Sequence, residues 1–369
     1  MSSEAGAVTI TGADGFIGRN LRLRLAEHGR AAIPIARDSS LAELRDALAK
    51  SDVVFHLAGA NRPRDPAEFT AVNRDFTALL AKEIAAAERR PLVIYASSAR
   101  AAGDDDYGQS KRAGEEALEA LGEAATVSVW RLPNVFGKWA RPNYNSVVAT
   151  FCHNLARGLP IKVDDPAAKL RLLYIDDLLD QWMELLEGRP APPLAEPLRV
   201  HPTTVGALAD MLERMAGGRP RCEVERVGSG LDRALYATYL SYLPPGQFSY
   251  PLVTHKDERG AFMEFLRTRD SGQVAVLRAF PGQTRGRHYH HTKAEKMLVV
   301  HGKALFRFRH VERGDLTEVR ACADEPVAVE TIPGWAHDIT NVGDQDLIVV
   351  VWASEAFDRA RPDTVASSP

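Results

Sequence analysis

Cysteine is scarce in this chain: three in 369 residues, at positions 152, 222 and 322, with no CxxC pair. That excludes a disulfide-stapled secreted domain and a thiolate-rich metal site. Charge imbalance is missing as well. Lys and Arg number 46 against 49 Asp and Glu, a net charge of -3, so no global field points to nucleic acid or an anionic membrane. No apolar run approaches the length of a membrane span. The opening MSSEAGAVTI lacks the basic-then-apolar signature of a signal peptide. Repeats and low-complexity segments are absent too. The expectation is a cytoplasmic protein with no nucleic-acid and no membrane partner, and its length suggests two domains.

Two distinct patterns remain. AVTIT (7–11), AIPIA (32–36), DVVFHLAG (52–59), LVIYASS (92–98) and TVSVWRL (126–132) read as buried strands. Helical periodicity lies between them, over 15–29 and about 40–50, 67–88 and 107–122. Strand alternating with helix predicts an α/β fold with a doubly wound, Rossmann-type parallel sheet. The proline-rich stretch 186–204 reads as a loop inside this domain, because helical patterning resumes at 205–216. A boundary falls near YLPPGQFSYPL (242–252), giving domains 1–243 and 246–369. Past it, QVAVLRAF, KMLVVHGKALFRFRHV, PVAVETI and DLIVVVWA predict an all-β barrel or sandwich. The last residues, RPDTVASSP, are expected to fray.

Gly12, Gly15 and Gly18 form GxxGxxG between the first strand and a helix. Glycine allows a tight turn and close approach to a pyrophosphate, and the helix N-terminus offers N–H groups and positive potential. Cofactor choice is read at the end of the second strand, here Ala36, Arg37 and Asp38. Arg19 and Arg37 together suit a 2′-phosphate and favour NADPH; Asp38, slightly late, argues for NADH. In DYGQSKRAGEEAL, Tyr107 and Lys111 stand four residues apart, on one helical face. A neighbouring ammonium lowers a phenol's pKa, which suits Tyr107 to proton transfer near neutral pH. Ser98 ends the strand LVIYASS, where its hydroxyl can bond the same substrate oxygen.

These motifs occur in one order: GxxGxxG, HLAG (56–59), Asn73 in AVNRDFT, YASS, YxxxK, RLPNVFG (131–137) and YIDDLLD (174–180). The pattern resembles the extended short-chain dehydrogenases/reductases over about residues 6–240. The segment between Ser98 and Tyr107 departs from it by being short. The resemblance implies Tyr107 as proton donor, Lys111 as its activator and ribose anchor, and Ser98 orienting the carbonyl. Cofactor contacts are implied for Gly12, Gly15, Phe16, Ile17, Gly18, Arg19, Arg37, Leu57, Ala58, Gly59, Asn73 and Lys111. Asn134, Lys138, Arg141, Asn143 and Asn145 follow a strand end where such ligands bind, and are expected to line the nucleotide-sugar site. Cys152 reads as a plain buried thiol.

Seven of the eleven histidines lie after position 250. Gly282, His288, His290, Glu295 and Gly302 fit G(x)5HxH(x)4E(x)6G, and Gly334, His337 and Asn341 fit G(x)2H(x)3N. Three imidazoles and a carboxylate suit a divalent metal, zinc first among Zn, Mn, Fe and Ni. The spacing resembles the cupin barrel over about 246–360. His301 and His310 read as surface or packing residues. Four protein ligands leave little room for substrate, which favours a structural metal unless coordination expands.

Taken together, the halves resemble the CapF-like bifunctional enzymes of capsular and O-antigen polysaccharide synthesis. The resemblance implies two steps on a UDP-linked 4-keto-6-deoxy amino sugar, UDP-2-acetamido-2,6-dideoxy-4-hexulose. The barrel epimerises C3, and the reductase then reduces the C4 ketone with NADPH. The product is UDP-2-acetamido-2,6-dideoxy-L-talose, on the route to UDP-N-acetyl-L-fucosamine. Lys293, Lys296, Tyr289 and His291 are the local candidates for moving the C3 proton. One rival reading keeps the reductase and makes the barrel a metal-braced dimerisation scaffold. A homodimer is expected by analogy with both families.

Overall fold

The computed structural model describes residues 7–369 apart from 63, 64, 66, 359 and 361. Two compact units emerge. One runs to Leu212 and takes back Ala234–Leu243; the other holds Glu213–Arg233 and Pro244–Pro369.

The first unit carries strands β1 (Ala7–Thr11), β2 (Ala32–Ile35), β3 (Ser51–His56), β4 (Leu92–Ser98), β5 (Thr126–Leu132), β6 (Asn134–Phe136), β7 (Lys169–Tyr174), β8 (Leu194–Ala195) and β9 (His201–Thr204). Six form one sheet in the order β2-β1-β3-β4-β5-β8, parallel throughout. This is the expected doubly wound sheet. The order reverses between β1 and β3, which opens a crevice at their carboxyl ends. Strands this apolar are stable only when covered on both faces. Trp182, fully buried, packs its ring 5.2 Å from Phe55 and 6.0 Å from Trp130. The proline-rich stretch is more than a loop: its Leu194–Ala195 adds the edge strand β8. Two residues of strand leave no readable period, which is why the pattern missed it.

The second unit contains β10 (Glu223–Val224), β11 (Thr254–Asp257), β12 (Gly260–Thr268), β13 (Gln273–Ala279), β14 (Thr284–Tyr289), β15 (Glu295–His301), β16 (Lys303–His310), β17 (Leu316–Cys322), β18 (Ala328–Thr331), β19 (Trp335–Asn341), β20 (Leu347–Ala353) and β21 (Val365–Ala366). They make a seven-stranded sheet, β10-β12-β13-β20-β15-β18 with β11 on β12, and a five-stranded sheet, β17-β16-β19-β14-β21. Alternate residues point inward, so Leu277, Met297, Val299, Phe306, Ile339 and Val349 fill the space between the sheets. This is the cupin-like barrel the histidine spacing suggested. Residues 213–233 were expected with the first domain, yet β10 pairs in parallel with Arg267–Thr268 of β12. Of the tail, position 361 lies outside the described residues, and the rest is not frayed: Val365 and Ala366 pair with Tyr289 and His288. Its residues act through main-chain pairing and the Asp363 carboxylate, which leaves no hydrophobic signal. No helix among the described residues is long and apolar enough to cross a membrane.

Gly12 combines a left-handed backbone with a close approach to the chain after β3. Its φ is +67°, and a Cβ there would lie 2.7 Å from the Ala58 nitrogen. Gly12→Ala is therefore expected to lower stability by about 1–3 kcal/mol from the backbone strain alone, read as a shift of the denaturant midpoint.

Candidate functional site

The crevice over β1, β3 and β4 holds two adjoining cavities, of about 900 and about 520 Å³, which share Gly59, Ala60 and Tyr144. The larger is lined by Phe16, Ile17, Leu57, Ser98, Tyr107 and Lys111, and by Asn134, Asn143 and Asn145 from the chain after β5. The smaller is lined by Gly12, Arg37, Ser39, Ser40 and Ala58. Helix Phe16–Glu27 starts directly at Gly15, so its first N–H groups face the turn after β1. A Cβ on Gly18 would lie 2.4 Å from the Gly12 carbonyl oxygen. The three glycines thus keep strand, turn and helix in contact.

Tyr107 sits in the first turn of helix Asp106–Glu119, whose N-cap Asp105 accepts from the Gly108 amide. Four residues on, Lys111 is only 4 % exposed and donates from Nζ to the Ala96 carbonyl at 2.9 Å. Burial pulls the Lys111 ammonium down to about 8, against the pull of Glu115. Burial likewise pushes the Tyr107 phenol up; the Ser98 hydroxyl and the Arg100 guanidinium pull it down. A cation does stand against the phenol ring: the Arg100 guanidinium lies 5.1 Å from the Tyr107 centroid. The short segment after Ser98 is the cause. It forms one 3₁₀ turn, Ala99–Ala102, in which the Arg100 amide donates to Ser98 Oγ at 3.2 Å. Asp105 holds the Arg100 side chain at 2.7 Å.

Several further residues had no signal in spacing. Glu115 is buried and takes a bidentate bond from Arg131 at 3.1 and 2.6 Å, plus a short bond from Ser97. His56 is fully buried between Thr11 and Thr77 hydroxyls at 2.7 and 2.8 Å, and burial lowers it to about 3. Tyr144, Lys162 and Asp164 line the larger cavity.

Four polar residues sit elsewhere than expected. Asn73 belongs to a π-helical turn, Phe69–Asp75, and lines neither cavity. Instead it clamps the Ala60 amide and carbonyl at 2.9 and 3.0 Å and bonds Ser110 at 3.0 Å, tying the loop after β3 to the Tyr107 helix. Arg19 turns to the Trp139 carbonyl at 2.8 Å. Lys138 pairs with Asp176 at 2.9 Å, and Arg141 stacks 5.3 Å from the Tyr144 ring. None of these three lines a cavity, because each has a nearer partner. Arg37 does: it is exposed and only 3.8 Å from Glu68. Cys152 is buried, as expected.

In the second unit His288, His290, Glu295 and His337 bring one donor atom each within 4.8 Å of one another. The register supplies this, since β14 and β19 set His288 directly opposite His337. His337 Nδ1 approaches the Trp335 carbonyl at 3.2 Å, and His290 Nδ1 makes a short bond to the Asp363 carbonyl. Both Nε2 atoms therefore face inward. They are buried and have no hydrogen-bond partner among the described residues, although Glu295 Oε2 lies 3.7 and 3.4 Å away. Burial pushes the Glu295 carboxyl up, but His290 and His337 outweigh it and hold it far below the usual range. Burial first, then His337 and His290, lowers His288 to about 4. Inward-facing ring nitrogens without a hydrogen-bond partner, gathered around a carboxylate, fit a divalent cation. Asn341 serves structure: its amide bonds the Ala279 and Gln345 carbonyls at 3.0 and 2.7 Å.

Two units define a class: a Tyr–Lys short-chain reductase joined to a cupin-like barrel with a four-donor cluster. Residues 8–192 match the NAD dependent epimerase/dehydratase family, and 255–365 match the polysaccharide biosynthesis C-terminal domain. A Pseudomonas aeruginosa relative, UDP-2-acetamido-2,6-beta-L-arabino-hexul-4-ose reductase, is 47 % identical over 98 % of each chain. The crystal structure of the capsular polysaccharide assembling protein CapF from Staphylococcus aureus superposes with a TM-score of 0.91, at 38 % identity, over 98 % of this chain and 100 % of that one. Ceramide reductase of Caulobacter vibrioides is 31 % identical over 51 % of this chain and 71 % of its own length. The chain belongs to the NAD dependent epimerase/dehydratase family and, along its whole length, is CapF-like.

Lys111 gives a pH test. Its folded value of about 8 lies below the ordinary lysine value of 10.5. Between them the unfolded chain keeps a proton the folded one has released, so stability rises with pH across that window and is lost again as pH falls toward 8. Measured against Lys111→Met, the wild type is expected to gain stability from pH 8 to pH 10.5, read by denaturant unfolding at each pH.

Proposed function

We propose that this chain converts UDP-2-acetamido-2,6-dideoxy-4-hexulose to UDP-2-acetamido-2,6-dideoxy-L-talose in two steps. The barrel epimerises C3 and the reductase unit then reduces the C4 ketone. The product leads to UDP-N-acetyl-L-fucosamine and surface polysaccharide. One observation carries the reading: a Tyr–Lys–Ser cavity in one unit and a four-donor cluster in the other give the chain two separate chemistries. The P. aeruginosa relative, similar end to end, bears the name of a reductase of that sugar class.

Chemistry fixes the order. The C3 proton is acidic only while C4 is a ketone, so epimerisation comes first, and reduction then draws a reversible step forward. NADPH, when bound, supplies the hydride. Tyr107 delivers the phenolic proton to the C4 oxygen, and Ser98 orients that oxygen. Lys111 braces the pair and reaches the ribose. Arg37 beside Ser39 and Ser40 supports NADPH, since Asp38 lines neither cavity. Asn134, Asn143 and Asn145 receive the nucleotide sugar. His288, His290, Glu295 and His337 hold zinc, which supplies positive charge when bound. Among the proton-moving candidates Lys293 is buried, whereas Lys296 is exposed and paired with Glu330 at 3.0 Å. A second reading is favoured by the wholly protein-supplied donor set: a metal-braced scaffold for a homodimer, with the reductase alone active.

Two variants separate these readings. The substrate is incubated in heavy water without cofactor and its C3 proton followed by NMR. Wash-out that persists in Tyr107→Phe and vanishes in folded His288→Ala assigns epimerisation to the barrel; no wash-out in wild type leaves a reductase alone. With NADPH, Tyr107→Phe is expected to lose about 10²–10⁴-fold in turnover.

A further inference from the structure

The chain's last residues return to the donor cluster. Asp363 caps three consecutive amides: Oδ1 accepts from His291 N at 2.8 Å, and Oδ2 from Thr292 N and Lys293 N at 2.8 and 2.9 Å. Thr292 Oγ1 adds a bond of 3.0 Å to the same Oδ2. The Asp363 main-chain carbonyl receives His290 Nδ1. Next to it, Val365 and Ala366 pair with Tyr289 and His288, and the Ser367 amide donates to the Arg287 carbonyl at 3.0 Å. The far end is pinned as well, since Arg309 reaches Ser367 Oγ and the Ser368 carbonyl, both at 2.8 Å.

What the tail holds is unusual backbone. Register shifts between Gly286 and His288, and Arg287 stands at φ +65°. A non-glycine residue there is strained and persists only when its surroundings over-determine it. His288 gains β19 on one side and the tail on the other. His290 and His337 also differ in how they are oriented. His337 uses the Trp335 carbonyl, two residues away, while His290 uses a carbonyl 73 residues away. An Nδ1–H donated to a carbonyl leaves the Nε2 lone pair facing inward, the form a metal needs.

We infer that the tail Asp363–Ser368 is a strap that sets the metal-binding geometry of His288 and His290, with Asp363 as its positioning residue. This rests on the reading of the cluster as a metal site. The side chain fixes the loop 291–293, and the main chain fixes the imidazole of His290. Asp363→Ala removes the first and loosens the second; ending the chain after Pro362 removes both.

The test is a competition between the full-length protein and a chromophoric chelator for Zn(II), together with the visible spectrum of the Co(II)-loaded protein. Asp363→Ala is expected to weaken Zn(II) binding by about 10–100-fold, as loss of an outer-shell partner does, and to shift the Co(II) bands. Truncation after Pro362 weakens it at least as much, and Asp363→Asn, which keeps one acceptor, falls between. Should the first two fail to fold, Asp363→Asn decides alone: several-fold weaker binding supports the strap, and unchanged affinity overturns it. Variants that unfold at a lower temperature when metal-free, yet hold Zn(II) and Co(II) as the wild type does, reduce the tail to a structural element and overturn the inference. A wild-type chain that takes up no Zn(II) overturns the metal reading itself, and the strap with it.

Discussion

The Lys111 ammonium, 4 % exposed, is charge taken out of water, and the first unit's site is arranged around it. A buried charge persists only with partners. The Ala96 carbonyl supplies one, and Glu115 supplies a field of the right sign. Glu115 is itself buried and needs Arg131 and Ser97. Asn73 and Ser110 fasten the same helix to the loop after β3. This network fixes where Tyr107 and Ser98 meet the cavity. The second unit solves the same problem with a different partner set: Glu295 lies among three imidazoles whose outer nitrogens are committed to main-chain carbonyls for two of them.

Arg100 changes the account of the phenol. The spacing of Tyr107 and Lys111 invites a direct effect of the ammonium on the phenol, but the cation stacked on the ring is Arg100. Its position follows from a short turn, and Asp105 both caps the helix and holds the guanidinium. Lys111 is left to brace β4 and face the cavity.

Fold class was legible because the buried parallel strands are apolar runs and barrel strands such as β13, β18 and β20 alternate with period two. The units' border was less so, because Glu223–Val224 is too short to carry a period; so, inside the first unit, is β8, which sits in a proline-rich stretch that reads as a loop. At the site, residues joined by local spacing were readable, as with Tyr107 and Lys111 or His288, His290 and Glu295. Residues joined across the fold were readable only where a second spacing motif marked them, as for His337. Glu115, His56 and Asp363 find partners 16, 45 and 72 positions away. Lys138, Arg141 and Arg19 carry the right charge for a nucleotide sugar or phosphate, but tertiary contacts with Asp176, Tyr144 and Trp139 occupy them.

The central claim is that one chain performs two reactions in a fixed order, and isotope placement in the product tests it. The sugar is converted with unlabelled NADPH in heavy water, and the isolated product is read by NMR. A chain that epimerises and then reduces gives a product with solvent deuterium at C3, inverted there relative to substrate, and ordinary hydrogen at C4. A C4-reduced product that keeps its original C3 hydrogen and configuration contradicts the account and leaves the barrel without chemistry.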